Sequence, residues 1–107
     1  MTDDRRTTPR RAVSLTVRQV VDEVSYPSRA TDLSPTGVFL ERGLSAFARA
    51  SDAVQIAIPL PGTDEELWVR GEVVYDCLLP GGHGTAVRFT AMADRHAATL
   101  ERWLTEP

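Results

Sequence analysis

Apolar and polar residues alternate with a period of two over three separate stretches of this chain, and that alternation limits the fold more than any other feature. Val13, Leu15 and Val17 alternate with Ser14, Thr16 and Arg18. Val54, Ile56, Ile58 and Leu60 follow the same rule. Leu67, Val69, Gly71, Val73 and Tyr75 alternate with Trp68, Arg70, Glu72 and Asp76. Successive side chains of a strand point to opposite faces, so each stretch reads as a strand with one buried face. Val20 and Val21 extend the first strand until Asp22-Glu23 offers a polar break. A second strand is expected from Val24 or Ser25 to Leu33, with Pro27 suited to an edge or a bulge. Val38-Phe39-Leu40 reads as a short buried strand, and Thr85 to Phe89 as the last one.

Turn chemistry separates these stretches. Ser34-Pro35-Thr36-Gly37 reads as a tight corner in which proline presets φ and glycine supplies a conformation closed to other residues. Pro61-Gly62-Thr63-Asp64 is a second turn and Pro80-Gly81-Gly82 a third, with His83 in the same glycine-rich turn. Residues 42–52 are ambiguous between a loop and a helical turn. The C-terminal segment changes period: Ala93, Ala97, Leu100 and Leu104 fall on one helical face, with Asp94 in the first turn where the helix dipole favours an acid. Short strands at regular spacing predict an antiparallel sandwich or barrel, and the helix is expected to cover one open end or face.

With 107 residues the chain is one domain, long enough to bury a core without disulfides or metal. Cys77 is the only cysteine, which excludes a disulfide framework and a cysteine-based metal centre. No signal-like or membrane-spanning apolar run is present, so the reading is cytoplasmic, with no membrane insertion. The charge distribution says more than the net value of −3. Residues 1–11 carry four arginines against two aspartates, leaving +2, whereas residues 12–107 carry eight arginines against thirteen acids, leaving −5. A cationic arm, expected to be mobile unless something ties it down, precedes an acidic body. Every basic residue apart from the histidines is arginine, whose planar fork suits phosphate and whose face stacks on bases.

Two local patterns carry the functional reading. The first is Arg6-Thr-Thr-Pro-Arg10, an R-x-x-x-R preceded by Arg5. The second is Asp32-Leu-Ser34-Pro-Thr-Gly37, a D-x-S-x-x-G at a strand-to-strand corner. Taken singly, the first is a solvated basic arm and the second is turn chemistry. In this order, and followed by a barrel pattern, they resemble the PilZ family signature. Gly37-Val-Phe-Leu-Glu41, Gly71-Glu-Val-Val-Tyr75 and Ala86-Val-Arg-Phe89 resemble the family's later strands. The chain departs from the pattern at Thr85-Ala86, where the family often has a second glycine.

The resemblance implies a six-stranded antiparallel PilZ-type β-barrel with a C-terminal α-helix, comprising an arm over residues 1–11 and a barrel domain over 12–107. It implies no enzymatic activity and no cofactor. The ligand it implies is the bacterial second messenger cyclic di-GMP, held by Arg5, Arg6, Arg10, Asp32, Ser34 and Gly37, with Tyr75 as a further stacking contact. The chemistry suits those residue types. Arginine forks fit phosphodiesters and the guanine O6/N7 edge, and a carboxylate accepts from guanine N1–H and N2–H. Arg5 favours an intercalated ligand dimer over a single nucleotide. Arg11 is expected to point away along the first strand. By parity Tyr75 belongs equally well to the core. Signalling is expected to pass from an ordered arm to a separate downstream protein; a nucleotide-free PilZ-like adaptor is the alternative.

The remaining features read as structural. Nucleic acid is disfavoured as a partner, because an acidic body opposes general phosphate-backbone affinity. His83 and His96 are isolated and make no metal site. Cys77 is expected to be a small buried residue and Trp103 a packing residue, while Trp68 is expected to be partly exposed on a partner surface.

Overall fold

The computed structural model describes residues 10–41 and 51–106. Six strands follow in order: β1 (Arg11–Val21), β2 (Val24–Leu33), β3 (Gly37–Glu41), β4 (Ala53–Pro59), β5 (Glu66–Leu79) and β6 (Gly82–Met92). A single helix, α1 (Asp94–Thr105), ends the chain. The strands close into an antiparallel barrel in the order β1-β2-β3-β6-β5-β4, with β4 returning to β1. The core is built from the inward parity of each strand: Leu15, Val17 and Val21 of β1, Val54, Ile56 and Ile58 of β4, and Leu67, Val69 and Val73 of β5. The ambiguous segment falls mostly on residues 42–50, outside the described residues.

The hairpins follow from local chemistry. Val21 pairs with Val24 across a two-residue turn in which Asp22 and Glu23 both have positive φ, 52° and 68°. Such turns match the twist of the flanking strands. Pro27 lies in the half of β2 that pairs with β1 alone, since β3 pairs only with Arg29 to Leu33. Gly62 and Gly81 occupy left-handed backbone at the β4–β5 and β5–β6 turns, with φ of 82° and 84°. The last strand is longer than the alternation predicts. It begins at Gly82, so His83 pairs with Leu78 inside the ladder, and the turn is confined to Pro80 and Gly81.

The helix buries a face rotated from the predicted one. His96, Leu100 and Leu104 are buried, while Ala93 and Ala97 are exposed, Ala93 serving as the N-cap. Leu100 and Leu104 join the barrel core and Trp103 packs at its margin. His96 is structural: its Nδ1 accepts the backbone N–H of Trp68 at 3.3 Å, tying α1 to β5. Trp68 itself is 41% exposed, as expected, with the Arg18 guanidinium carbon 5.3 Å from its ring centroid. Small Ala57 lies between them in the β1-β4-β5 row and lets the two side chains meet over it. Among the described residues, no helix is long and apolar enough to cross a membrane.

Candidate functional site

Period two places Asp32 and Tyr75 on the inward parity of their strands, yet both face out of the barrel. The cause is a bulge in each strand. Ala30 pairs with Leu40 and Asp32 with Phe39, so Thr31 is an extra residue in β2. Val73 pairs with Val87 and Tyr75 with Ala86, so Val74 is an extra residue in β5. One extra residue reverses the parity of everything beyond it, and bulges are used to re-aim side chains in this way. A third irregularity, between Ala12 and Leu15 of β1, lies at the same end of the sheet. Tyr75 is therefore not a core residue; it is 54% exposed at the edge of a cavity.

That cavity, about 560 Å³, is lined by Arg10, Asp32, Ser34, Gly37, Phe39 and Tyr75 among others. Its volume lies in the range of small-molecule sites. Arg10, just before β1, forms an ion pair with Asp32. Their side chains remain 67% and 33% exposed, so both stay accessible from solvent. The hydrogen bond and charge of Asp32 raise the Arg10 guanidinium above its ordinary pKa; a guanidinium is cationic throughout the biological pH range even without that shift. Arg5 and Arg6 lie outside the described residues.

Ser34 and Gly37 shape the corner at which β2 turns into β3. Ser34 Oγ accepts the backbone N–H groups of Thr36 at 3.2 Å and Gly37 at 3.1 Å, and lies 3.3 Å from Thr36 Oγ1. The hydroxyl holds the turn as a side-chain mimic of backbone pairing. Gly37 does not use the left-handed conformation expected of it; it is absent from the positive-φ residues. Its constraint is proximity instead, because a Cβ there would stand 2.6 Å from the Val87 carbonyl oxygen of β6. The glycine lets β3 approach β6 closely behind the cavity.

Phe39 is a lining residue that the sequence reading assigned to a buried strand. Val38 and Leu40 are buried, so alternation turns Phe39 outward between them. Its ring lies over Gly84, where a Cβ would be 2.3 Å from the ring and 3.1 Å from Cys77 Sγ. Phe39 and Tyr75 thus present two aromatic side chains on the outer face of β3 and β5, with small Ala86 paired to both. Cys77 is only partly buried. Among the described residues, no cluster of three His, Cys, Asp or Glu side chains could hold a metal.

Comparison with known proteins agrees with this architecture. No curated protein matches the chain. The inhibitor of motility MotI/DgrA of Bacillus subtilis superposes with a TM-score of 0.77 at 16% identity, over 95% of this chain and 50% of the other. The chain thus spans half the length of that protein. The PilZ domain of YcgR from Escherichia coli, solved with c-di-GMP, gives 0.69 at 17% identity, covering 94% and 89%. The PilZ domain of CeSA from a cellulose-synthesizing bacterium gives 0.65 at 17%, covering 89% and 93%. At these identities the structures establish a shared fold. The PilZ domain family model matches residues 4–106. With nearly the whole sequence matched and the barrel, corner and terminal helix in place, the chain belongs to the PilZ domain family.

Proposed function

We propose that this chain is a non-catalytic receptor for cyclic di-GMP, and that the cavity between the β2–β3 corner and β5 is its ligand site. The observation that carries the reading is the meeting of Arg10 and Asp32, which come from separate motifs and face the same cavity. Each has the chemistry one part of the nucleotide needs: Arg10 a fork for phosphate or for guanine O6/N7, Asp32 an acceptor for guanine N1–H and N2–H. Arg10 and Asp32 satisfy one another. The ligand would exchange that exposed pair for two charge-assisted contacts of its own. Tyr75 and Phe39 supply faces on which a purine can stack. Arg5 and Arg6 would close from the arm, residues 1–11, and the extra charge of Arg5 favours two intercalated nucleotides. Ser34 and Gly37 act by holding the corner to which Asp32 belongs. The ordered arm, ligand and barrel together would form the surface read by a separate protein.

The test is calorimetric titration with cyclic di-GMP, using GTP as the control ligand. Saturable binding is expected, weakened on the order of tenfold or more in Arg6→Ala, Arg10→Ala and Asp32→Ala, since each removes a charge-assisted hydrogen bond. Binding that is equally strong in Asp32→Ala would place the ligand elsewhere. No binding at high micromolar ligand would turn the reading towards an adaptor that works by protein contact alone.

A further inference from the structure

Arg10 and Arg11 are neighbours in the chain with contacts on opposite sides. Arg10 engages Asp32 at the cavity. Arg11, the first residue of β1, reaches the terminal helix: its Nη1 donates to the Trp103 carbonyl at 2.9 Å, and its guanidinium carbon lies 4.2 Å from the indole centroid. One side chain thus makes both a charge-assisted hydrogen bond and a cation–π contact with the same residue. Trp103 is anchored in turn, donating through Nε1 to the Pro61 carbonyl at 3.0 Å in the β4–β5 turn. Its helical neighbours Leu100 and Leu104 are 1% and 8% exposed in the core. The helix is therefore held against the barrel partly by the residue next to the ligand arginine. One peptide unit joins the two residues, holding their Cα atoms about 3.8 Å apart, so the cavity contact and the helix contact share one short stretch of backbone at the root of β1.

We propose that Arg11 couples the cavity to the C-terminal helix, so that whatever engages Arg10 and Asp32 is transmitted to Trp103 and changes how α1 sits on the barrel. The identity of the ligand rests on the receptor reading above; the coupling rests on the geometry of Arg10, Arg11 and Trp103. The helix carries exposed Arg95, Glu101 and Arg102 on its outer side, so a shift of α1 alters a charged surface at a distance from the nucleotide. Arg11 is in this sense a positioning residue: it acts on the site through the strand root and on the helix through Trp103.

The experiment uses the full chain carrying Trp68→Phe, which leaves Trp103 as its only tryptophan. Without ligand, Trp103 emission is compared among this chain and its Asp32→Ala, Arg11→Ala and double variants. Releasing Arg10 by Asp32→Ala is expected to shift the emission when Arg11 is present and to have no effect after Arg11→Ala. The same shift with and without Arg11, or no shift in either, overturns the coupling. Thermal melts identify any variant that fails to fold, and Arg11→Met, which keeps the length and loses the fork, then replaces Arg11→Ala. With cyclic di-GMP, Trp103 emission is expected to respond in the Arg11 chain only. Arg11→Ala is expected to weaken binding about fivefold, the low end of site-to-site coupling. An unchanged affinity and response in Arg11→Ala would overturn transmission. Failure of the Arg11 chain to bind cyclic di-GMP would sink the receptor reading, and the ligand-free comparison would still decide the coupling.

Discussion

Gln19 occupies a core position that its chemistry does not suit. It continues the inward parity of Leu15, Val17 and Val21, and it is fully buried. Its Oε1 accepts from Ser28 Oγ at 3.1 Å, across the β1–β2 ladder, while Nε2 has no hydrogen-bond partner among the described residues. A lone buried acceptor is costlier than a missing pair. Ser28→Ala is therefore expected to destabilise the chain by about 1–3 kcal/mol. Gln19→Leu with Ser28→Ala removes both polar partners and is expected to be neutral or stabilising. Urea denaturation of the two variants checks this, and equal losses in both would remove the account. Gln19 also marks a limit of sequence reading at this scale: a glutamine reads as surface, and only the parity of its neighbours places it inside. Gly37 marks another. Its turn position was plain, but the Val87 carbonyl that forbids a Cβ comes from a strand far along the chain.

At the scale of elements, the three alternating stretches and the terminal helix were legible because one face of each is buried against one core. What alternation does not register is the bulge. Thr31 and Val74 each add one residue to a strand, and neither side chain announces it. Both bulges flank the cavity, so the parity rule fails where Asp32 and Tyr75 must be turned outward. Motif resemblance found Asp32 without parity; Phe39, outside the motif, was missed even though Val38 and Leu40 forced it outward. The β1–β2 hairpin shows the opposite case, a local rule obeyed at a cost. Both of its turn residues have positive φ, and Glu23, at 68°, lacks the short polar side chain that eases this conformation for aspartate. Glu23→Gly is expected to stabilise the chain by about 0.5–1 kcal/mol after allowing for the added freedom of the unfolded glycine. Because the turn lies at the far end of β2 from Asp32, affinity for cyclic di-GMP is expected to be unchanged. A lower melting temperature in Glu23→Gly would show that the hairpin carries no such strain.

For the whole molecule, the stoichiometry of ligand binding can be read from its linkage to folding. A ligand that binds only the native state adds stability that grows with the logarithm of its concentration once sites are filled. With one nucleotide per chain, each tenfold rise in free ligand adds about 1.4 kcal/mol; with two bound together, the increment is about 2.7 kcal/mol. For a domain near this size, each kcal/mol moves the melting temperature by roughly 4–8 °C. The slope of melting temperature against log ligand is therefore about twice as steep for a stacked pair as for one nucleotide. The steeper slope is expected, because the sequence adds Arg5 and Arg6 to Arg10, and a stacked pair with four phosphate charges calls for more positive charge than one nucleotide does. Arg5→Ala is expected to bring the slope down to the single-nucleotide value while leaving binding saturable. A steep slope unaffected by Arg5→Ala would keep the pair but take Arg5 out of it. A shallow slope in the unaltered chain would leave Arg10 and Asp32 to hold one nucleotide, with the aromatic pair of Phe39 and Tyr75 as its stacking surface.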